Sequence, residues 1–261
     1  MGAAFVAGGT VIQMQREQGV SWATHLISLA RIEQLKTIND GDKLLEIGSL
    51  CLLTDCLKAP AIKAEVPLLI KAISSIAAPA VRNRGTIGGN LTYRKGDAIP
   101  VMVALDADAV VYTDNGYECI PVAEYIAHVE PSILLAVRFH KEKTAKARTI
   151  FEKVGRREAF TPSLLTVAGF VELKGGAVKQ IKLAIGGGEV IPQRLTEVED
   201  VLTGTPFTEE LLAEAYVRLK KAGVIRTTPF ATDNYVRTVL ANIVVSTLED
   251  FMKEEVRYEK G

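Results

Sequence analysis

Three cysteines and three histidines are too few and too scattered for a metal centre. Cys51, Cys56 and Cys119 match no zinc or iron–sulfur spacing. They are expected as buried, reduced thiols. His25, His128 and His140 share no ligand spacing either, so no metal site is assigned. Excess charge of one sign is also missing: 31 basic residues face 31 acidic ones. That balance argues against a nucleic-acid surface, which needs a basic face. No apolar run reaches the length that crosses a bilayer, so no membrane span is expected. The opening Met1-Gly2-Ala3-Ala4-Phe5-Val6 has no basic n-region, and Val6 stands where a myristoylation motif has Ser or Thr. A cytoplasmic location follows as the expectation. Nucleophile–base motifs are absent, as are paired-carboxylate motifs, so no catalytic residue is assigned. No Gly-x-Gly-x-x-Gly follows a strand, which argues against a Rossmann domain.

Two glycine-rich stretches are present. The longer is Asn83-Arg84-Gly85-Thr86-Ile87-Gly88-Gly89-Asn90-Leu91, and the shorter is Ala7-Gly8-Gly9-Thr10. Backbone without side chains can approach an anion closely and point several N–H groups at it. Thr86 and Asn90 add side-chain donors, and Arg82 and Arg84 could steer a negative ligand. Taken alone, Gly-Gly-Thr is equally an ordinary tight turn. Two such loops in one chain suggest a shared diphosphate held between them.

Composition is globular, with 48% hydrophobic and 24% charged residues over 261 positions, enough for one large domain or two ordinary ones. Residues 3–7 read as a strand, 11–18 as a short helix or turn, and 24–28 and 44–48 as strands joined by a hairpin turn at 39–42. Residues 53–59 and 67–76 carry helical spacing, with Pro79 ending the second. Strands are expected at 109–113, 117–122 and 132–139. The charged stretch 141–146 is the expected boundary. Beyond it, strands at 149–154, 164–174 and 177–187 imply a three-stranded antiparallel sheet, followed by helices at 208–222 and 231–255. The fold class is therefore α+β, with residues 1–144 and 145–261 as two domains.

Single charged residues stand out near the loops. Asp97 follows the longer loop and could accept hydrogen bonds from a ribose hydroxyl, or be a solvated turn residue. Lys153 precedes Arg156-Arg157 on a strand and needs an anion or a negative partner near it. Phosphate-cradling loops without acid–base machinery suggest a dinucleotide cofactor that does the chemistry itself, and flavin fits.

In this company the chain resembles the FAD-binding (medium) subunit of the molybdenum hydroxylases, of the xanthine dehydrogenase and carbon monoxide dehydrogenase type. The matching residues are Ala7-Gly8-Gly9-Thr10, Arg82-Asn83, Thr86-Ile87-Gly88-Gly89-Asn90-Leu91 and Pro100 with Ala104-Leu105-Asp106-Ala107. Lys153 with Gly155-Arg156-Arg157, Pro192 and Arg194 with Glu199, Leu202 and Gly204, and Tyr235 with Arg237 complete the order.

The resemblance implies a vanillyl-alcohol-oxidase-type FAD-binding domain over 1–144, then a small α+β domain of a three-stranded antiparallel sheet plus helices over 145–261. It implies that FAD is bound by Ala7, Gly8, Gly9, Thr10, Val11, Thr86, Ile87, Gly88, Gly89, Asn90, Asp97, Leu134 and Lys153. Asp97 would lie near the nucleotide, and Leu134 and Lys153 near the flavin. Molybdopterin and iron–sulfur clusters of the 2Fe-2S type would sit on partner subunits, with NAD as electron acceptor. The family carries a strand and a helix before the first glycine loop, which here begins at residue 7, so a shortened N-terminal subdomain is expected. The family's Asp residues after Gly-Gly-Thr and after Arg-Arg are replaced by Val11 and Thr161. A free-standing FAD-dependent oxidoreductase of the same fold, or a non-enzymatic scaffold subunit whose glycine loops are only turns, are the alternatives.

Overall fold

The computed structural model describes residues 2–21, 23–127, 132–141, 147–157 and 162–259. The expected boundary at 144/145 falls outside the described residues, as do His128 and Thr161. Three sheets organise the described residues. Strand β1 (Ala3–Val6), helix α1 (Thr10–Glu17) and strand β2 (His25–Ser28) form a βαβ unit with the two strands parallel. The sequence announces its three elements but not the pairing of its strands. β2 was expected to form a hairpin with residues 44–48, but it pairs with β1 instead. Residues 38–40 themselves form strand β3 (Ile38–Asp40), so the hairpin turn is tighter and joins β3 to β4 (Leu44–Gly48). Phe5 and Ile27 lie opposite each other in the parallel pair and both are exposed.

The second sheet runs β3-β4-β7-β5-β6, all antiparallel, with β5 at Asp108–Thr113, β6 at Gly116–Pro121 and β7 at Ile133–His140. Alternation along β5 sends Ala109 and Val111 inward, as a one-sided sheet requires. Its inner face is covered by α2 (Leu53–Lys58), α3 (Pro60–Glu65), α4 (Pro67–Ser75) and α7 (Ile99–Ala104). Two very short helices, α5 (Pro79–Arg82) and α6 (Ile87–Thr92), carry the chain from α4 to α7. Pro60, Pro67 and Pro79 each begin a helix, where the missing N–H is no loss. Pro79 was expected only to end one. Helix α8 (Val122–Ala127) follows β6.

The third sheet is β11-β10-β9-β8: β8 at Arg148–Gly155, β9 at Ser163–Lys174, β10 at Ala177–Gly186 and β11 at Gln193–Arg194. The fourth strand is the correction to the three expected. It is two residues long, too short to leave a periodic trace. β9 is buried along most of its length because both of its faces are covered. One face packs on α9 (Thr196–Leu202), α10 (Glu209–Leu219) and α11 (Asp233–Glu259). The other contributes Ala168 and Phe170 to the core around α7. Every residue of α7 is buried, so this helix is the wedge that joins the two halves. Thr208 caps α10 by accepting from the Leu211 N–H at 3.3 Å, and Glu209 and Glu210 sit at the positive end of the helix.

Charged residues reinforce the joint. Arg194 bonds Asp106 on one side and Glu199 on the other, while Lys182 pairs with Asp106. Asp106 belongs to the first half and the other three to the second. Among the cysteines, Cys51 and Cys56 are buried as expected, but Cys119 is exposed on β6. Burial pushes the Cys51 thiol up to about 11 and raises Cys56 further. Native protein treated with a thiol reagent at pH 8 is therefore expected to modify Cys119 rapidly and the other two only on unfolding. Three rapid equivalents would contradict the packing.

Candidate functional site

The first glycine loop forms where β1 stops. Gly9 adopts φ +72°, which an L side chain rarely takes, and the chain turns into α1 without a side-chain cap. Gly8 needs the space rather than the angle: a Cβ built there would lie 1.8 Å from the Arg84 carbonyl oxygen. The two glycine loops therefore touch, backbone against backbone. The N–H groups of Gly9, Thr10, Val11 and Ile12 find no protein acceptor among the described residues. They are the first donors of a helix, which no intrahelical carbonyl can satisfy.

The second loop is different from its expectation. Thr86 is an N-cap, and Gly88 and Gly89 are inside the first turn of α6. None of Gly85, Gly88 and Gly89 has positive φ. Nor are their N–H groups offered to a ligand. The N–H of Ile87 bonds Cys51 O at 3.0 Å and that of Gly88 bonds Ser49 O at 2.9 Å. Those of Gly89 and Asn90 bond Thr86 Oγ1 and Thr86 O, each at 3.0 Å. Gly88 is there for close packing, since a Cβ would lie 2.6 Å from both Cβ and O of Ser49. Arg82 does not steer anything: its guanidinium donates to the carbonyls of Ile76 and Ala77 at 2.7 and 2.6 Å. It steadies a turn in which Ala77 has φ +43°.

Between the loops and the third sheet runs a cleft of about 1170 Å³. That volume suits a ligand of dinucleotide size. Of the residues expected at the site, Ala7, Gly8, Gly9, Thr10, Val11, Thr86, Gly88, Gly89, Asn90, Asp97, Leu134 and Lys153 all line it. Ile87 does not: its side chain is fully buried in the core and its N–H is already used. Among the described residues the lining carries Arg94, Lys95, Lys153, Arg156 and Arg226 against Asp97 and Glu189, five positive to two negative. The chain is neutral overall, so this excess is local, and it favours an anionic ligand.

Asp97 and Lys153 answer each other across the cleft floor. Their charged groups are 2.7 Å apart, and both side chains are largely buried. Asp97 Oδ1 also accepts from Ser163 Oγ at 2.6 Å and Thr166 Oγ1 at 2.9 Å, and Lys153 donates to Ser75 O at 2.9 Å. Asp97 is thus the negative partner that Lys153 was expected to need, and it is not a solvated turn residue. Lys95 pairs with Glu189, and the Arg156 guanidinium lies 3.9 Å above the Phe230 ring at the cleft rim. Sequence reasoning missed Ser49 and Gln15. Ser49 Oγ and Gln15 Oε1 are buried polar atoms with no hydrogen-bond partner among the described residues, and both residues line this cleft. Only tertiary burial makes them unusual, so no sequence signal could have found them.

Comparison with known proteins gives the same architecture. A family described as the FAD binding domain in molybdopterin dehydrogenase matches residues 1–139, and the CO dehydrogenase flavoprotein C-terminal domain matches residues 150–251. The chain is 26% identical over 223 residues to the putative xanthine dehydrogenase FAD-binding subunit of Escherichia coli strain K12, spanning 80% of this chain and 75% of that protein. It is 28% identical over 225 residues to the carbon monoxide dehydrogenase medium chain of Hydrogenophaga pseudoflava, spanning 82% and 76%. The solved structure of carbon monoxide dehydrogenase from Hydrogenophaga pseudoflava lacking the Mo-pyranopterin moiety superposes with a TM-score of 0.86 at 24% identity, over 94% of this chain and 87% of that one. No described helix is long and apolar enough to cross a membrane.

Proposed function

Because this chain belongs to the FAD-binding subunits of the molybdenum hydroxylases, we propose that its cleft holds FAD and that it serves as the electron-carrying medium subunit of such a complex. One observation carries the fit. A row of unspent N–H groups at the start of α1 borders a cleft with excess positive charge, and Gly8 brings the second loop directly against the first. A diphosphate meets there the donors that a helix N-terminus leaves open. The two orphaned polar atoms in the same cleft also suit a polar ligand.

In this proposal Ala7, Gly8, Gly9, Thr10 and Val11 hold the diphosphate by backbone. Thr86, Gly88, Gly89 and Asn90 form the facing wall, where the N–H groups of Ile87 to Asn90 are taken and side chains offer donors. Ile87 contributes by anchoring that wall in the core. Leu134 and Lys153 face the flavin, and Asp97 fixes Lys153 in place. When bound, FAD supplies the electron-transfer chemistry that no side chain here provides. The protein's part is to bind, orient and shield. Electrons would arrive from iron–sulfur clusters on one partner subunit, fed by a molybdopterin subunit, and leave to NAD in the cytoplasm. The division at residues 144/145 belongs to the same proposal.

The test is a spectrum. Complex purified with its partner subunits is expected to show one flavin per copy of this chain after gel filtration, and NADH is expected to bleach its absorbance. A colourless chain that binds no added FAD would overturn the assignment. Flavin that NADH leaves untouched would overturn the choice of acceptor.

A further inference from the structure

We propose that Ser49 is a cofactor-contacting residue, its hydroxyl turning to donate a hydrogen bond to a diphosphate oxygen of the bound dinucleotide. This rests on the FAD assignment above. Ser49 is 4% exposed, and its Oγ has no partner among the described residues. Leaving a buried hydroxyl unpaired is destabilising, so a site that keeps one has a use for it. The backbone on both sides is fixed: the Ser49 N–H donates to Leu135 O at 2.8 Å, and its carbonyl accepts from the Gly88 N–H at 2.9 Å. The side chain keeps one freedom, rotation among three staggered positions. That rotation carries Oγ from its enclosed place toward the cleft that Ser49 lines.

The position of Ser49 sets the atom it meets. It packs directly on Gly88, in the wall that faces the unspent N–H groups of α1. That wall has no backbone donor left for an anion among Ile87 to Asn90. A hydroxyl beside Gly88 supplies the missing donor, and a charged acceptor makes the bond strong. Gln15, the other orphan, stands on α1 and lines the same cleft.

Ser49→Ala in the full chain is the test, with FAD and riboflavin titrated by flavin fluorescence and ligand-free stability measured by thermal melting. FAD affinity is expected to fall roughly tenfold, the loss of one hydrogen bond to a charged group. Riboflavin, which has no phosphate, is expected to bind equally to both proteins. The ligand-free variant is expected to melt no lower than wild type, because the orphan has been removed. Unchanged FAD affinity would overturn the proposal. So would an equal loss for riboflavin, or a ligand-free melting temperature several degrees lower, which would mean the hydroxyl is satisfied within the protein. Wild-type protein that binds no FAD would remove the assignment on which this inference rests.

Discussion

Gly8→Ala is expected to weaken FAD binding by roughly a hundredfold. The added Cβ would lie 1.8 Å from the Arg84 carbonyl oxygen, about half an ordinary contact, and the obstacle is backbone on both sides. The loops must part by more than an ångström. Overpacking of this kind costs about 1–3 kcal/mol in a core. Here the same displacement separates the two walls of the cleft, so FAD affinity should fall by roughly a hundredfold, as a loss of about 2.7 kcal/mol implies. The β8–β11 sheet and its helices do not touch this contact and should keep their unfolding transition. Fluorescence titration and circular dichroism check both halves of the expectation. An alanine variant that binds FAD as wild type does would mean that the loops are not apposed. Gly88→Ala should be next in severity, with a Cβ 2.6 Å from Ser49. Gly89→Ala should be mildest, since its Cβ meets only the Thr86 hydroxyl at 3.0 Å.

Asp97→Ala should be the most destabilising single change at the joint between the halves. It strands Lys153, whose side chain is 14% exposed, without its counter-charge. It also removes the acceptor for Ser163 and Thr166. Breaking a buried pair by deleting one partner costs roughly 3–5 kcal/mol, because the remaining charge stays desolvated. Urea unfolding of the full chain measures it. Replacing both partners, Asp97→Leu with Lys153→Met, should recover only the share due to the stranded charge, because the buried Ser163 and Thr166 hydroxyls still lack their acceptor. A cost below about 1 kcal/mol for Asp97→Ala is what a solvated pair gives, and would remove this tie between the halves.

How much of this was legible beforehand depended on where each signal is stored. Helical spacing in Leu68, Leu69, Ala72 and Ile73 found α4, and the Gly175-Gly176 turn found the β9–β10 hairpin. These are local patterns. The elements of the βαβ unit at the start were read, but the parallel pairing of β1 with β2 was not, because pairing leaves no trace in the local pattern. Arg194, Glu199 and Arg237 stood out as motif residues, yet their work is structural. Arg194 ties the halves together through Asp106, Glu199 holds Arg194 in place, and Arg237 holds the Ala222 and Gly223 carbonyls. The glycines stood out in sequence as backbone that could approach a ligand, whereas the structure gives two of them a different reason. Gly8 and Gly88 serve close packing against distant backbone, which only the folded chain reveals. Asp97 and Lys153 were singled out separately, 56 positions apart, and nothing in sequence said that each was the other's partner.

The two walls of the cleft differ in how much order they already possess. Around Ile87 to Asn90 every N–H is bonded within the protein. That wall keeps one shape whether or not a ligand is present, and its conformational entropy is lost during folding rather than at binding. The start of α1 holds its donors in reserve, on a helix with no buried residue and no side-chain cap. Ordering on ligand capture therefore falls on one side only. The cleft thus sets a wall whose donors are spent within the protein against a helix of eight residues whose first donors are open.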